Sequence, residues 1–174
     1  MGGLVGLDGR MPFVVEQLEM TAAGKAKLEA ELDELVNVRR PAVLQRIREA
    51  KALGDLSENF DFHDAKREQS FVEGRILALK EMLGRARVVT EEETNNGGVG
   101  LGSRVDIVNL DTGATSTYTL VGAVEADPAS GKISNVSPVG KALMGQTEGA
   151  SIEITTPRGI QKYRISAVRR NGEA

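Results

Sequence analysis

Apolar residues recur at helical spacing from Thr21 onward. Thr21 is placed as an N-cap, and Leu28, Leu32 and Leu35 follow at four- and three-residue steps. This stripe falters at Arg39-Arg40-Pro41 and resumes in a shifted phase at Val43, Ile47 and Ala50, as a coiled-coil stutter does. Pro41 predicts a kink or a division of the helix, because proline removes one backbone donor and crowds the preceding turn. A second stripe runs through Phe62, Ala65, Gln69, Val72, Ile76, Leu79, Leu83 and Ala86, alternating three and four residues, the signature of a heptad seam. Between the stripes GDLSEN, residues 54–59, concentrates turn formers. Two long helices joined by so short a turn lie antiparallel. Arms of roughly 30 residues, at 1.5 Å per residue, make a hairpin about 45 Å long whose turn protrudes.

Beyond the acidic run Glu91-Glu92-Glu93, the segment TNNGGVGLG ends the helical texture and marks a boundary. The period then changes to two. RVDIVNL and TSTYTLVG flank the turn Asp111-Thr112-Gly113 as one hairpin, and SIEITTP and IQKYRISAV flank Arg158-Gly159 as another. Between them DPASGK reads as a connection, and SPVGKALMG as a short helix capped at Ser137 with Pro138 in its first turn. The fold class is therefore α+β. A flexible extension over 1–20 precedes a helical hairpin over 21–90 with its tip at 54–59, a linker over 91–102, and a small domain over 103–174 with a mostly antiparallel sheet. Met11 and Met20 are further candidate starts, so no function is assigned to the extension.

Composition narrows the chemistry. The 174 residues contain no cysteine, which excludes disulfides, thiol nucleophiles and sulfur-ligated zinc and fits a reducing cytoplasm. The single histidine, His63, leaves carboxylates as the metal-ligating option. Aromatics at 3%, with no tryptophan, disfavour base-stacking platforms and aromatic-lined pockets. A net charge of -3 places any electrostatic message in local patterning. No apolar run is long enough for a membrane span, and the first twenty residues lack the layout of a secretion signal.

The tip gathers Asp55, Glu58 and Asp61. Two readings stand side by side. Asp55 and Glu58, three apart, resemble a capping box at the start of the second helix. Alternatively, two outward carboxylates form part of a Mg²⁺ site, which needs about six oxygens and is completed only by another molecule. Arg39, Arg40, Arg46, Arg48 and Lys51 approach the turn and Lys66 and Arg67 follow it, either as a collar for a phosphate backbone or as solvated helix faces with internal ion pairs. His63 reads as a helix-surface residue beside Phe62. The glycines of SPVGKALMG form no phosphate-binding loop.

The segments MTAAGKAKLEAEL, RRPAV, GDLSEN, FVEGRI, LDTG, YTLVG, EADPASGKIS and SPVGKALMG occur in order across about residues 20–169. Together they resemble the bacterial GreA/GreB family of transcript-cleavage factors. The resemblance implies a protruding coiled-coil hairpin and an FKBP-like C-terminal domain. It implies that the partner is RNA polymerase, with the domain on the rim of the secondary channel and the hairpin reaching toward the active site and the nascent RNA 3′ end. There the tip acids, falling on Asp55 and Glu58, help hold a second Mg²⁺ shared with the polymerase. The basic positions beside the tip fall on Lys51 and Lys66. The chain would be no enzyme itself but a cytoplasmic cofactor protein, monomeric when free. It departs from the usual tip at Phe60, where a small residue is common, and at Asp61 and Phe62, where Glu and Tyr are common.

Three rival readings remain. The first is a channel-binding inhibitor from the same family, against which the intact DLSEN stands. A prolyl isomerase or chaperone is disfavoured because the C-terminal domain carries only Tyr118 and Tyr163 as aromatics. A structural coiled coil is disfavoured by Pro41 and the stutter.

Overall fold

The structure, a computed structural model, describes residues 16–54, 58–90, 93 and 97–170. Helix α1 (Ala22–Glu34) starts where the sequence places it, with the Thr21 hydroxyl accepting from the Gly24 N–H at 3.0 Å. It passes into a π-helical segment, Leu35–Arg39, and continues as α2 (Arg40–Ala52). The π turn explains the shifted stripe. Leu35 and Val43 stand eight apart where a heptad step is seven, and the Arg40 N–H reaches back five residues to the Leu35 carbonyl, so one extra residue is absorbed without leaving the helix. Pro41 therefore neither breaks the helix nor ends it. It sits in the first turn of α2, directly after the π segment.

Helix α3 (Phe60–Arg85) returns antiparallel over 26 residues, about 39 Å at the standard rise. Its seam is the one the spacing predicts: Ala65, Val72, Ile76 and Leu79 are buried. Val43, Val72 and Ile76 form one apolar cluster along the arms, and Met20, Leu28 and Leu79 form another at the base. Burying such residues contributes roughly 1.5–3 kcal/mol each.

Two expectations need correction. The segment assigned to a flexible extension ends in strand β1 (Leu18–Met20), which pairs in parallel with β2 (Ala86–Val88) where α3 ends. Met20 is fully buried at 0% exposure because its side chain fills the base of the hairpin between Leu28 and Leu79. Residues 1–15 lie outside the described residues. Likewise the expected linker over 91–102 ends inside the core: Val99 is only 2% exposed and Leu101 is also buried. Glycine-rich texture hid two apolar anchors.

The C-terminal domain is a five-stranded sheet in the order β5-β4-β3-β7-β6. Strands β3 (Arg104–Asn109), β4 (Thr115–Val121), β6 (Ser151–Thr156) and β7 (Gly159–Arg169) pair antiparallel with one another, whereas β5 (Lys132–Ser134) joins β4 in parallel, so the sheet is mixed. The turn between β3 and β4 is held by buried Asn109, whose Oδ1 accepts from the Asp111 and Thr112 N–H groups at 2.9 and 3.0 Å. Alternation places Val105, Ile107, Leu120, Ile152, Ile154 and Ile165 on the inner face, covered by Val99 and by Leu143 of the short helix α4 (Pro138–Leu143). The Ser137 hydroxyl caps α4 by accepting from the Gly140 N–H at 3.0 Å.

Candidate functional site

The tip is built from the C-terminus of α2 and the N-terminus of α3. Leu53 caps α2, and Gly54 turns the chain at a φ of 83°. Asp55, with Leu56 and Ser57, lies outside the described residues. Glu58 is exposed, and no hydrogen bond or ion pair among the described residues engages it.

The capping-box reading is not what the structure shows for Glu58. Asn59 is the N-cap of α3: its Oδ1 accepts from the Phe62 N–H at 3.0 Å, while its Nδ2 donates to the Ala50 carbonyl at 2.6 Å. One amide thus satisfies an orphan donor of α3 and adds a second donor to the Ala50 carbonyl of α2, which also accepts from the Leu53 N–H at 3.3 Å. Glu58 precedes the cap and is left without that duty. Asp61, in the first turn of α3, is the acid that suits the helix dipole.

Sequence reasoning missed Asn59 as the cap, although an asparagine directly before a helical stripe was the available signal. Leu53, three residues beyond Ala50, is 80% exposed. Phe60, singled out as unusual, is 87% exposed and flanks Glu58 from the α3 side. Among the described residues of the tip, Leu53, Glu58 and Phe60 line one open depression.

The basic collar divides. Arg39 pairs with Glu68 at 3.3 Å, Arg46 with Glu68 and with Asp64 at 3.3 Å, and Arg40 with Glu73 through Nε at 2.7 Å. These arginines bridge the two arms, as the solvated-face reading anticipates. Lower down, Arg75 grips Glu31 in a two-pronged contact at 2.6 and 2.8 Å. The Arg75 hydrogen bond holds the Glu31 carboxyl below its ordinary value, and Arg40 does the same to Glu73. Lys51 is exposed and forms no ion pair among the described residues, and Lys66 donates to the Gln69 side-chain oxygen at 2.8 Å. Arg48 contacts Gln45 at 3.3 Å, and Arg67 is exposed. Among the described residues these four cations form no ion pair between the arms.

His63 is an exposed helix-surface residue, edge-on to Phe62 with ring centroids 5.7 Å apart. Among the described residues no group of three or more acidic or histidine side chains converges as a metal site. Glu58 presents a carboxylate that fits one or two positions of a hard-cation shell and leaves most of it to be filled from outside. In the C-terminal domain, Tyr118 and Tyr163 pack partly buried against the core, and the Tyr163 hydroxyl donates to the Gln161 side-chain oxygen at 2.5 Å. No helix among the described residues is long and apolar enough to cross a membrane.

Comparison with known proteins agrees with this organisation. Residues 18–88 match the family described as transcription elongation factor, N-terminal, and residues 93–170 match transcription elongation factor, GreA/GreB, C-term. The transcription elongation factor GreA of Listeria welshimeri is 48% identical over 149 residues, covering 86% of this chain and 93% of the relative. That of Chloroflexus aurantiacus is 45% identical over 150 residues, covering 86% and 96%. Among solved structures, the GreA factor homolog 1 of Thermus thermophilus aligns at 29% identity and a TM-score of 0.41, covering 88% of this chain and 99% of that one. A GreA/GreB elongation factor from Nitrosomonas europaea aligns at 25% identity and a TM-score of 0.39, covering 87% and 98%. With both family regions matched in order and nearly half the residues shared over almost the full length of its relatives, the chain belongs to the GreA/GreB family of transcription elongation factors.

Proposed function

We propose that this transcription elongation factor binds RNA polymerase through the secondary channel and stimulates the polymerase's own cleavage of backtracked RNA near its 3′ end. The observation that carries the reading is the division of labour at the tip. Asn59 does the capping, so the exposed Glu58 carboxylate is available to a partner. The hairpin supplies reach, and the C-terminal domain, read as FKBP-like, rests on the channel rim.

Asp55 and Glu58 are the residues that would hold a Mg²⁺ shared with the polymerase. When bound, such an ion supplies the positive charge that two-metal phosphodiester hydrolysis requires. This chain's own part is to present the two carboxylates, to tie the ends of α2 and α3 together through Asn59, and to steer RNA phosphates with Lys51 and Lys66. In this reading the chain is a cofactor protein with no nuclease activity of its own, because two acids leave the shell of the ion mostly open.

The test is Asp55→Asn and Glu58→Gln in stalled, backtracked polymerase with end-labelled RNA. Stability should change by no more than about 0.5 kcal/mol for Glu58→Gln, as for a surface residue outside any cap. Release of the 3′ fragment should nearly vanish while polymerase binding persists, and each variant should compete with the parent protein. Normal stimulation by both variants would refute the shared-metal reading.

A further inference from the structure

The hairpin and the C-terminal domain meet at the first turn of α1, and one side chain dominates the contact. Glu125, in a short 3-10 turn after β4, places its carboxylate over the N-terminus of α1. Its Oε2 accepts from the Thr21 N–H at 2.8 Å and from the Gly122 N–H at 3.3 Å, and its Oε1 accepts from the Thr21 hydroxyl at 2.5 Å. That hydroxyl in turn accepts from Gly24, so the cap of α1 is a relay that begins in the other domain. A carboxylate at a helix N-terminus also meets the positive end of the dipole. The surroundings are shaped to admit it. A Cβ on Gly24 would stand 2.0 Å from the Glu125 carboxyl carbon, so no residue but glycine leaves the space. The remaining contacts are weaker in direction: Val124 packs on the base cluster, and Asn135 reaches Glu19 at 3.4 Å.

We propose that Glu125 is the latch that fixes the direction of the hairpin relative to the C-terminal domain, which makes it a positioning residue for the tip. Apolar packing holds two bodies together without fixing their angle, whereas two charge-assisted hydrogen bonds into one helix end, from a carboxylate itself anchored by the Gly122 N–H, do. The functional half of this inference rests on the proposed channel-binding role, in which a tip must arrive already aimed.

The absence of cysteine allows clean labelling. Ser70→Cys on α3 and Ser151→Cys on β6, both at exposed serines, carry spin labels whose separation is read by double electron-electron resonance. The parent should give one narrow distance distribution. Glu125→Ala should broaden it, and Glu125→Gln, which keeps the shape and an acceptor, should restore most of the narrowness. Gly24→Ala provides the second route: it raises helix propensity in α1 yet displaces the carboxylate, so it should broaden the distribution without weakening the hairpin.

In cleavage assays on backtracked polymerase, Glu125→Ala and Gly24→Ala should raise the half-saturating concentration roughly tenfold, the penalty when one molecule in ten is correctly aimed, while the rate at saturation is retained. A distribution that stays narrow in both variants overturns the latch. Broadened distances with an unchanged half-saturating concentration overturn the positioning role. If the parent itself stimulates no cleavage, the channel-binding reading fails and the positioning role falls with it, while the distance measurements still decide the latch.

Discussion

Asn59 and Ala50 close the hairpin tip: the Asn59 Nδ2 donates to the Ala50 carbonyl at 2.6 Å, from the N-cap of one helix to the last turn of the other. The same side chain accepts from Phe62, so a single residue couples the ends of both arms just beside the acids.

Replacing Asn59 therefore acts twice. Asn59→Ala should cost about 1–2 kcal/mol in urea denaturation, from a lost cap and a lost side-chain bond across the tip. Asn59→Asp keeps an oxygen for Phe62 but sets an acceptor against the Ala50 carbonyl, so it should fall between the two. If Asp equals Asn in stability and in amide exchange at Phe62, the cross-tip bond contributes nothing.

Acid should weaken the hairpin through its interarm pairs. Arg75 and Arg40 hold Glu31 and Glu73 below the ordinary 4.5, and a depressed folded-state value means stability that is complete above 4.5 and lost as pH falls through the lowered value. The melting temperature should drop over that window. In a Glu31→Gln, Glu73→Gln double variant the drop should be shallower, so that the two melting curves converge in acid. A constant offset across the range would mean the pairs do not titrate on folding.

Two glycines should respond oppositely to alanine. At Gly140, in α4, a Cβ would stand 2.0 Å from the Ser134 carbonyl oxygen, so Gly140→Ala should destabilise by about 1–3 kcal/mol through overpacking. At Gly74, in α3, a Cβ meets nothing within 4 Å, and Gly74→Ala should gain up to about 1 kcal/mol of helix propensity. Denaturant titration of both variants checks the pair.

The π segment makes a register prediction. Deleting exposed Val38 should turn Leu35–Arg39 into ordinary helix and restore the seven-residue step to the residue now called Val43, with helical content by circular dichroism and the denaturation midpoint preserved. Deleting Ser70 from α3, which has no such slack, should shift the seam residues on one side of the cut out of phase and lower the midpoint sharply. Equal losses in both deletions would show that the π turn holds no spare residue.

Local patterns foretold much of this molecule. The seam of α3, the caps Thr21 and Ser137, the two β-hairpins and the antiparallel pairing of the arms each depend on residues within a few positions of one another, and spacing alone discloses them. The shifted phase after Leu35 was equally visible, but whether a stutter, a kink or a π turn absorbed it depended on how two packed helices share one seam. The tip acids were legible as residue types. The exposure of Glu58 was not, since the cap could fall on Asp55 and Glu58 or on Asn59 until the first turn of α3 was placed.

Contacts distant in sequence were decided by the fold. Strand β1 is three residues long and gains its partner, β2, only because the hairpin brings the chain back to its starting point. Val99 sits in a glycine-rich segment and is buried because the sheet leaves a place for it. Which arginines bridge the arms and which lysines stay outward follows from the angle at which each leaves its helix. Glu125 reaches Thr21 across 104 positions. A helix stripe or a turn is stabilised by neighbours in the chain and leaves its trace in their spacing. A carboxylate seated on the end of another domain's helix is stabilised by geometry that exists only after both have folded.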